Sequence, residues 1–168
     1  EGKKAFWHST SHVMAQALQE MYPGIKLTIG PAIENGFYYD VDFGENKISE
    51  NDFKAIEDRI LAISKEKHEF KMRSATKAEA LELYKDNEYK TELIQNLEDG
   101  TISFCDHATF TDLCRGGHIP NTGIIKAAKI LSVAGAYWRG DEKNKQLTRV
   151  YGISFPKQKD LTEYLEMI

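Results

Sequence analysis

Apolar residues return at a helical interval in the first stretch of the chain. Trp7, Met14, Leu18 and Met21 fall on one stripe, and Pro23-Gly24 supplies a stop, which predicts a helix over residues 9–22. His8 and His12 lie just off that stripe, at the rim of the buried face, where a pocket wall would stand. Alternation then replaces helical spacing. Residues 26–33 and 36–43 predict two strands joined through Glu34-Asn35-Gly36, a turn of the Asn-Gly hairpin type. In the second of them Phe37, Tyr39, Val41 and Phe43 share one face, while Tyr38, Asp40 and Asp42 share the other.

Ser49 with Asp52 three positions on makes a variant capping box, and Phe53, Ile56, Ile60 and Ile63 carry a helix to about residue 67. A short strand over 69–73 leads to Thr76, whose partner Glu79 makes a second box for a helix through Leu83. Another short helix is predicted over 90–97. Residues 101–110 read as a strand, 113–123 as a glycine-rich loop, and 129–138 and 146–155 as two further strands joined by a turn over 140–145. Pro156 opens a last helix. Helices interleave with antiparallel hairpins instead of alternating with single strands, and no glycine-rich phosphate fingerprint follows a strand into a helix. The predicted class is α+β: antiparallel hairpins with packed helices, in a single domain.

Length and composition agree with one globular domain: 168 residues, 41% hydrophobic and 29% charged. No apolar run reaches the ~20 residues of a spanning helix, so no membrane partner is expected. Cys105 and Cys114 are too few for a disulfide framework and sit beside aspartate or histidine, which points to a reducing, cytoplasmic setting. The opening residues carry no signal core, and the chain is expected to be a piece of something longer. A net charge of −4 excludes wrapping of nucleic acid over the whole surface. Locally the balance reverses: residues 126–149 hold six basic and two acidic side chains, enough to meet a few phosphates.

The chemistry gathers in two segments, His8-Ser9-Thr10-Ser11-His12 and Cys114-Arg115-Gly116-Gly117-His118. Each pairs its functional groups at i, i+4. On a helix that spacing puts two imidazoles on one face, suited to shared work on a metal, a water or a carbonyl. Three imidazoles and a thiol are also zinc-type ligands, so His8, His12, Cys114 and His118 are the metal candidates.

These segments, with residues 29–42 (Ile-Gly-Pro-Ala-Ile-Glu-Asn-Gly-Phe-Tyr-Tyr-Asp-Val-Asp), Asp112-Leu113 and residues 134–141 (Ala-Gly-Ala-Tyr-Trp-Arg-Gly-Asp), resemble the editing domain of bacterial-type threonyl-tRNA synthetases. The likeness runs over nearly the whole chain in the same order. The family's loop usually reads Cys-Arg-Gly-Pro-His, and here Gly117 stands in place of the proline. The resemblance implies an editing domain over residues 1–156, with 157–168 starting a helical linker to a catalytic core.

It also implies a reaction. A synthetic site for threonine discriminates against serine by only about 1–3 kcal/mol, the worth of one methyl, so a second site must hydrolyse seryl-tRNA(Thr). That ester hydrolysis needs a placed water, a proton acceptor and oxyanion stabilisation. By resemblance, His8 and Lys90 bind or activate the water and His12 supports them. Asp112 holds the seryl ammonium, Cys114 and His118 line the amino-acid pocket, Tyr39 reaches it with its hydroxyl, and Arg139 meets the tRNA end. No cofactor is expected for editing, and zinc is possible but not required. ATP and zinc belong to the catalytic domain of the parent threonine–tRNA ligase, which is expected to dimerise through its other domains. Two rival readings stand beside this one: a zinc-dependent hydrolase of the alanyl editing type, and a non-catalytic tRNA-contacting module.

Overall fold

The computed structural model describes residues 2–114 and 118–168, and the expected loop residues Arg115, Gly116 and Gly117 lie outside them. Five helices (α1 Gly2–Met21, α2 Phe53–Lys65, α3 Lys77–Leu83, α4 Glu88–Gln95, α5 Gln158–Met167) combine with eight strands. The strands are β1 Lys26–Leu27, β2 Ala32–Ile33, β3 Gly36–Asp42, β4 Lys71–Ser74, β5 Ser103–His107, β6 Phe110–Leu113, β7 Ala127–Tyr137 and β8 Gln146–Phe155. All pairing is antiparallel, in a five-stranded sheet ordered β1-β3-β8-β7, with β2 also on β3, and a three-stranded sheet ordered β4-β5-β6. The fold is α+β, as the pattern predicts.

β3 shows why. Its alternation turns Phe37, Tyr39 and Val41 inward, fully buried, against Val13, Met14 and Leu18 of α1 and the Ile56, Ile60 and Ile63 face of α2. Each such side chain contributes about 1.5–3 kcal/mol of transfer free energy. The Asn35-Gly36 turn depends on its glycine. Gly36 has φ +111°, and a Cβ there would stand 2.2 Å from the Gly152 carbonyl oxygen. The second capping box forms as well: Thr76 accepts from the Glu79 amide at 3.1 Å, and Glu79 accepts from the Thr76 amide at 2.9 Å.

Several boundaries differ from the sequence reading. α1 begins at Gly2, seven residues before the expected Ser9, so His8 lies inside the helix. The strand expected over 26–33 is two short pieces, because Pro31 has no amide hydrogen to give a neighbour and breaks the ladder between them. The strand expected over 101–110 folds back on itself as the β5–β6 hairpin, with His107 opposite Phe110. Ala108 makes the turn in the left-handed region, at φ 53°, where a glycine would have advertised it. α5 packs on the large sheet through buried Leu161. Among the described residues no helix is long and apolar enough to cross a membrane.

Candidate active site

The three residues between the two α1 histidines set the roll of the helix. Ser9 Oγ donates to the Ala5 carbonyl at 2.7 Å and accepts the Ile119 amide at 2.9 Å, tying α1 to the residue after His118. Thr10 Oγ1 shares a hydrogen bond of 2.8 Å with Ser154 Oγ on β8. Ser11 Oγ donates to the Gly30 carbonyl at 2.7 Å. With three sides fastened, His8 and His12 face one direction. There they meet His118, and the three rings form a triangle with centroids 4.7–4.9 Å apart. Cys114 closes the group, its Sγ 3.4 Å from His118 Nε2, while Cys105 Sγ lies 3.6 Å from His118 Nδ1.

Behind the imidazoles lies a buried charge network. Asp112, on β6, accepts the Tyr39 hydroxyl at 2.7 Å, its neighbouring Leu113 amide at 2.9 Å and the Lys90 ammonium. Its Oδ2 also stands 2.9 Å from His12 Nδ1. That last approach is off the ring's N–H direction, so it is an ion-pair contact and not an aligned hydrogen bond. Lys90 is 2% exposed and Asp112 likewise, so the pair is buried at the edge of a cleft. Gly30 packs directly on the Tyr39 ring: a Cβ there would come within 2.1 Å of it, so only glycine leaves the tyrosine in place.

Environment pushes the titrating groups apart. Burial, then the charges of His12 and His118, lower His8 to about 4, leaving it an uncharged base at neutral pH. Burial opposes a charge on His12 as well, but the Asp112 carboxylate and Cys114 sulfur outweigh it and raise His12 to about 9. For Asp112, burial pushes upward, while Lys90 and His12 overcome it and hold the carboxyl well below the usual range. The Cys105 thiol beside it, against the opposing effect of burial, joins His118 and His12 in favouring the Cys114 thiolate. Side by side stand an uncharged imidazole, a charged one and a buried lysine–aspartate pair. That is the equipment of proton transfer and charge stabilisation.

Residues 102–151, which carry Asp112, Cys114 and His118, match the family described as the threonyl and alanyl tRNA synthetase second additional domain. Along its whole length the chain is 84% identical to part of the threonine–tRNA ligase of Flavobacterium psychrophilum, 84% to that of Flavobacterium johnsoniae and 64% to that of Parabacteroides distasonis. The matched segment belongs to this second additional domain family. The whole chain spans 26% of the length of those ligases.

The structure brings together seven of the eight residues singled out in the sequence, three of them inside the matched segment: His8, His12, Tyr39, Lys90, Asp112, Cys114 and His118. Arg139 is tied elsewhere, its Nε 2.7 Å from Glu92 on α4. Asp112 is already engaged by four groups of the protein, so an incoming ammonium would share or displace them. Ser9, Ser11, Gly30 and Cys105 are the participants sequence reasoning missed. A serine between two functional histidines, and a cysteine that alternation across a correctly placed turn puts beside Asp112, were the available signals.

The quartet His8, His12, Cys114 and His118 also fits a metal. One donor atom from each lies within 4.8 Å of the others, and Asp112 stands behind His12 as the outer partner of a ligating imidazole. Tetrahedral zinc wants such donors roughly 3.5 Å apart, so the side chains would close by about 1 Å. These four would hold the ion, and for it to supply a water of lowered pKa one of them would have to yield its position or a fifth would have to open.

Proposed function

We propose that this chain hydrolyses the ester of serine mischarged onto threonine tRNA, as the editing part of a cytoplasmic threonine–tRNA ligase. The observation that carries the reading is uncharged His8 packed on His12, which in turn touches the buried Lys90–Asp112–Tyr39 network, in a chain 84% identical throughout to part of a threonine–tRNA ligase. His8 takes the proton of a water placed against the seryl carbonyl. Charged His12 and Lys90 offer positive potential to the oxyanion that develops. The seryl ammonium shares the Asp112 carboxylate with Lys90 and Tyr39. Cys114 and His118 line the side-chain position, where threonine's extra methyl would clash. The partner is the aminoacylated end of the tRNA, and most of the affinity comes from the remainder of the ligase.

The reading needs no metal, because His8 is itself a base at neutral pH. The zinc-type quartet favours a second reading, in which the same four residues would hold an ion that would supply a water of lowered pKa. Elemental analysis paired with deacylation before and after chelation separates them. The first reading expects hydrolysis to survive chelation. Stoichiometric zinc whose removal abolishes turnover, and whose return restores it, establishes the second. Absence of hydrolysis by either form leaves a tRNA-contacting module.

A further inference from the structure

Lys90 sits on a helix of only eight residues, too short to hold itself in water, so contacts made by other side chains of α4 decide where its ammonium goes. Lys90 and Ile94, four apart, form the face turned toward the small sheet, both buried. Tyr89, Glu92 and Leu93 form another face. They meet the turn after β7, where Trp138 packs edge-on to the Tyr89 ring with centroids 5.2 Å apart, and Leu147 completes the contact.

That turn is built to grip. Its chain reverses through Arg139 at φ 59° and Gly140 at φ 72°, the first an uncommon conformation for a residue with a side chain. The Lys145 carbonyl accepts the Trp138 amide at 3.0 Å, and Asn144 Nδ2 donates to the Trp138 carbonyl at 2.8 Å. The fixed backbone aims two side chains at one carboxylate: Glu92 Oε2 accepts the Trp138 indole N–H at 3.0 Å and pairs with Arg139 Nε at 2.7 Å. One turn earlier on α4, the Tyr89 hydroxyl donates to Asp42 at 2.8 Å, and Lys145 pairs with the same Asp42 oxygen. Trp138 is 6% exposed, so its ring is spent on this contact and is closed to stacking on a base.

We infer that Trp138, through Glu92 and Tyr89, is a positioning residue that sets Lys90 against Asp112. The inference rests on the editing reading for its kinetic consequence, but not for its structural one. Because the Lys90 stem is buried, it has little freedom to re-extend, and the position of the helix decides where its ammonium lies. A displacement of α4 by about 1 Å is enough to cost much of the rate when a charged group must be aligned.

The test measures acetylation of each lysine by a small amine reagent, read by peptide mass spectrometry, together with kcat and KM for serine-charged tRNA. In the parent, buried Lys90 reacts at least about tenfold more slowly than exposed Lys47. In Trp138→Leu and in Glu92→Ala, at a half-exposed position where loss of fold is not expected, Lys90 acetylation rises about tenfold, and kcat falls about tenfold with KM within about twofold. Glu92→Gln keeps an acceptor for the indole and stays near the parent in both readouts. Lys90 protection unchanged in Trp138→Leu and Glu92→Ala overturns the inference, whatever happens to turnover. A parent without deacylase activity overturns the editing reading alone, and the acetylation contrast still decides the clamp.

Discussion

The five-stranded sheet is sealed by α1 and α2 over a continuous apolar core from Val13 and Leu18 through Phe37 and Ile60 to Val150. The three-stranded sheet closes with α3 and α4 over much less: Ala75, Ala80, Ile94, Ile102 and Phe104. The candidate site lies on the seam, taking His8, His12 and Tyr39 from the first region and Lys90, Asp112 and Cys114 from the second. A thick core can orient α1 by packing alone, helped by three hydroxyl tethers. The thin one cannot, and its functional residues are held by polar contacts with high individual cost: the Lys90–Asp112 pair, the Asn87 cap donating to the Leu27 carbonyl at 2.8 Å, and the Glu92 grip.

The sharpest way to break this contrast is Lys90→Ala. It takes from buried Asp112 one of its two cationic partners and leaves only His12, which costs up to about 3–5 kcal/mol, and it removes a charge stabiliser worth roughly 100-fold in rate. Chemical denaturation and deacylation measure the two losses. Adding Asp112→Asn should recover much of the stability and none of the activity. A single variant as stable as the parent would show that the pair is not buried.

Ile60→Ala and Ile94→Ala compare the cores directly. The first should cost about 2–5 kcal/mol of global stability. The second should mainly speed amide hydrogen exchange in β4–β6 and α4 and leave β3 and β8 protected. Equal spreading of exchange in both variants would mean that the two regions open as one.

The core side of this contrast was legible in the sequence, because alternation in β3 and helical spacing in α2 act locally. The seam was not. Lys90 reads as an exposed lysine near a helix start, and only the approach of Asp112, 22 positions later, buries it. The β5–β6 hairpin escaped because Ala108 turns the chain without a glycine or asparagine to mark it. Residues 134–141 suggested a tRNA contact through Arg139, whereas their described contacts reach α4. The histidine and cysteine quartet is the exception, a site element whose i, i+4 spacing was visible in both segments and whose convergence required the fold.

His8→Ala should act on chemistry and hardly on the fold. The side chain is partly exposed, so stability changes by less than about 1 kcal/mol, while loss of a general base lowers turnover about 100-fold. Near-normal turnover with an unchanged melting curve would remove His8 from the mechanism.

The smallest effect concerns His107, buried on β5 with Nε2 2.6 Å from Gln16 Oε1. Gln16 gives its amide nitrogen to Glu20 at 2.9 Å, so its oxygen accepts and His107 carries the proton on Nε2. Burial, with nearby His12 and His68, lowers His107 from 6.5 to about 3. Between those values the unfolded chain binds a proton that the folded one does not. His107 therefore makes stability fall as pH drops below about 6.5, by at most about 1.4 kcal/mol per unit. His107→Gln should lose about 2 kcal/mol less than the parent between pH 7 and 5, by urea denaturation at both. Parallel losses would mean that His107 charges freely in the fold.

The central claim, a base and a buried charge pair assembled on the seam to remove serine, is tested most directly by single-turnover deacylation. Threonine tRNA charged with serine or with threonine is mixed with excess protein, and ester remaining is followed in time. The account predicts that the serine ester is cleared at least about tenfold faster than the threonine ester, and that His8→Ala abolishes the difference. Equal rates for the two esters, or a serine rate no faster than without protein, would contradict it.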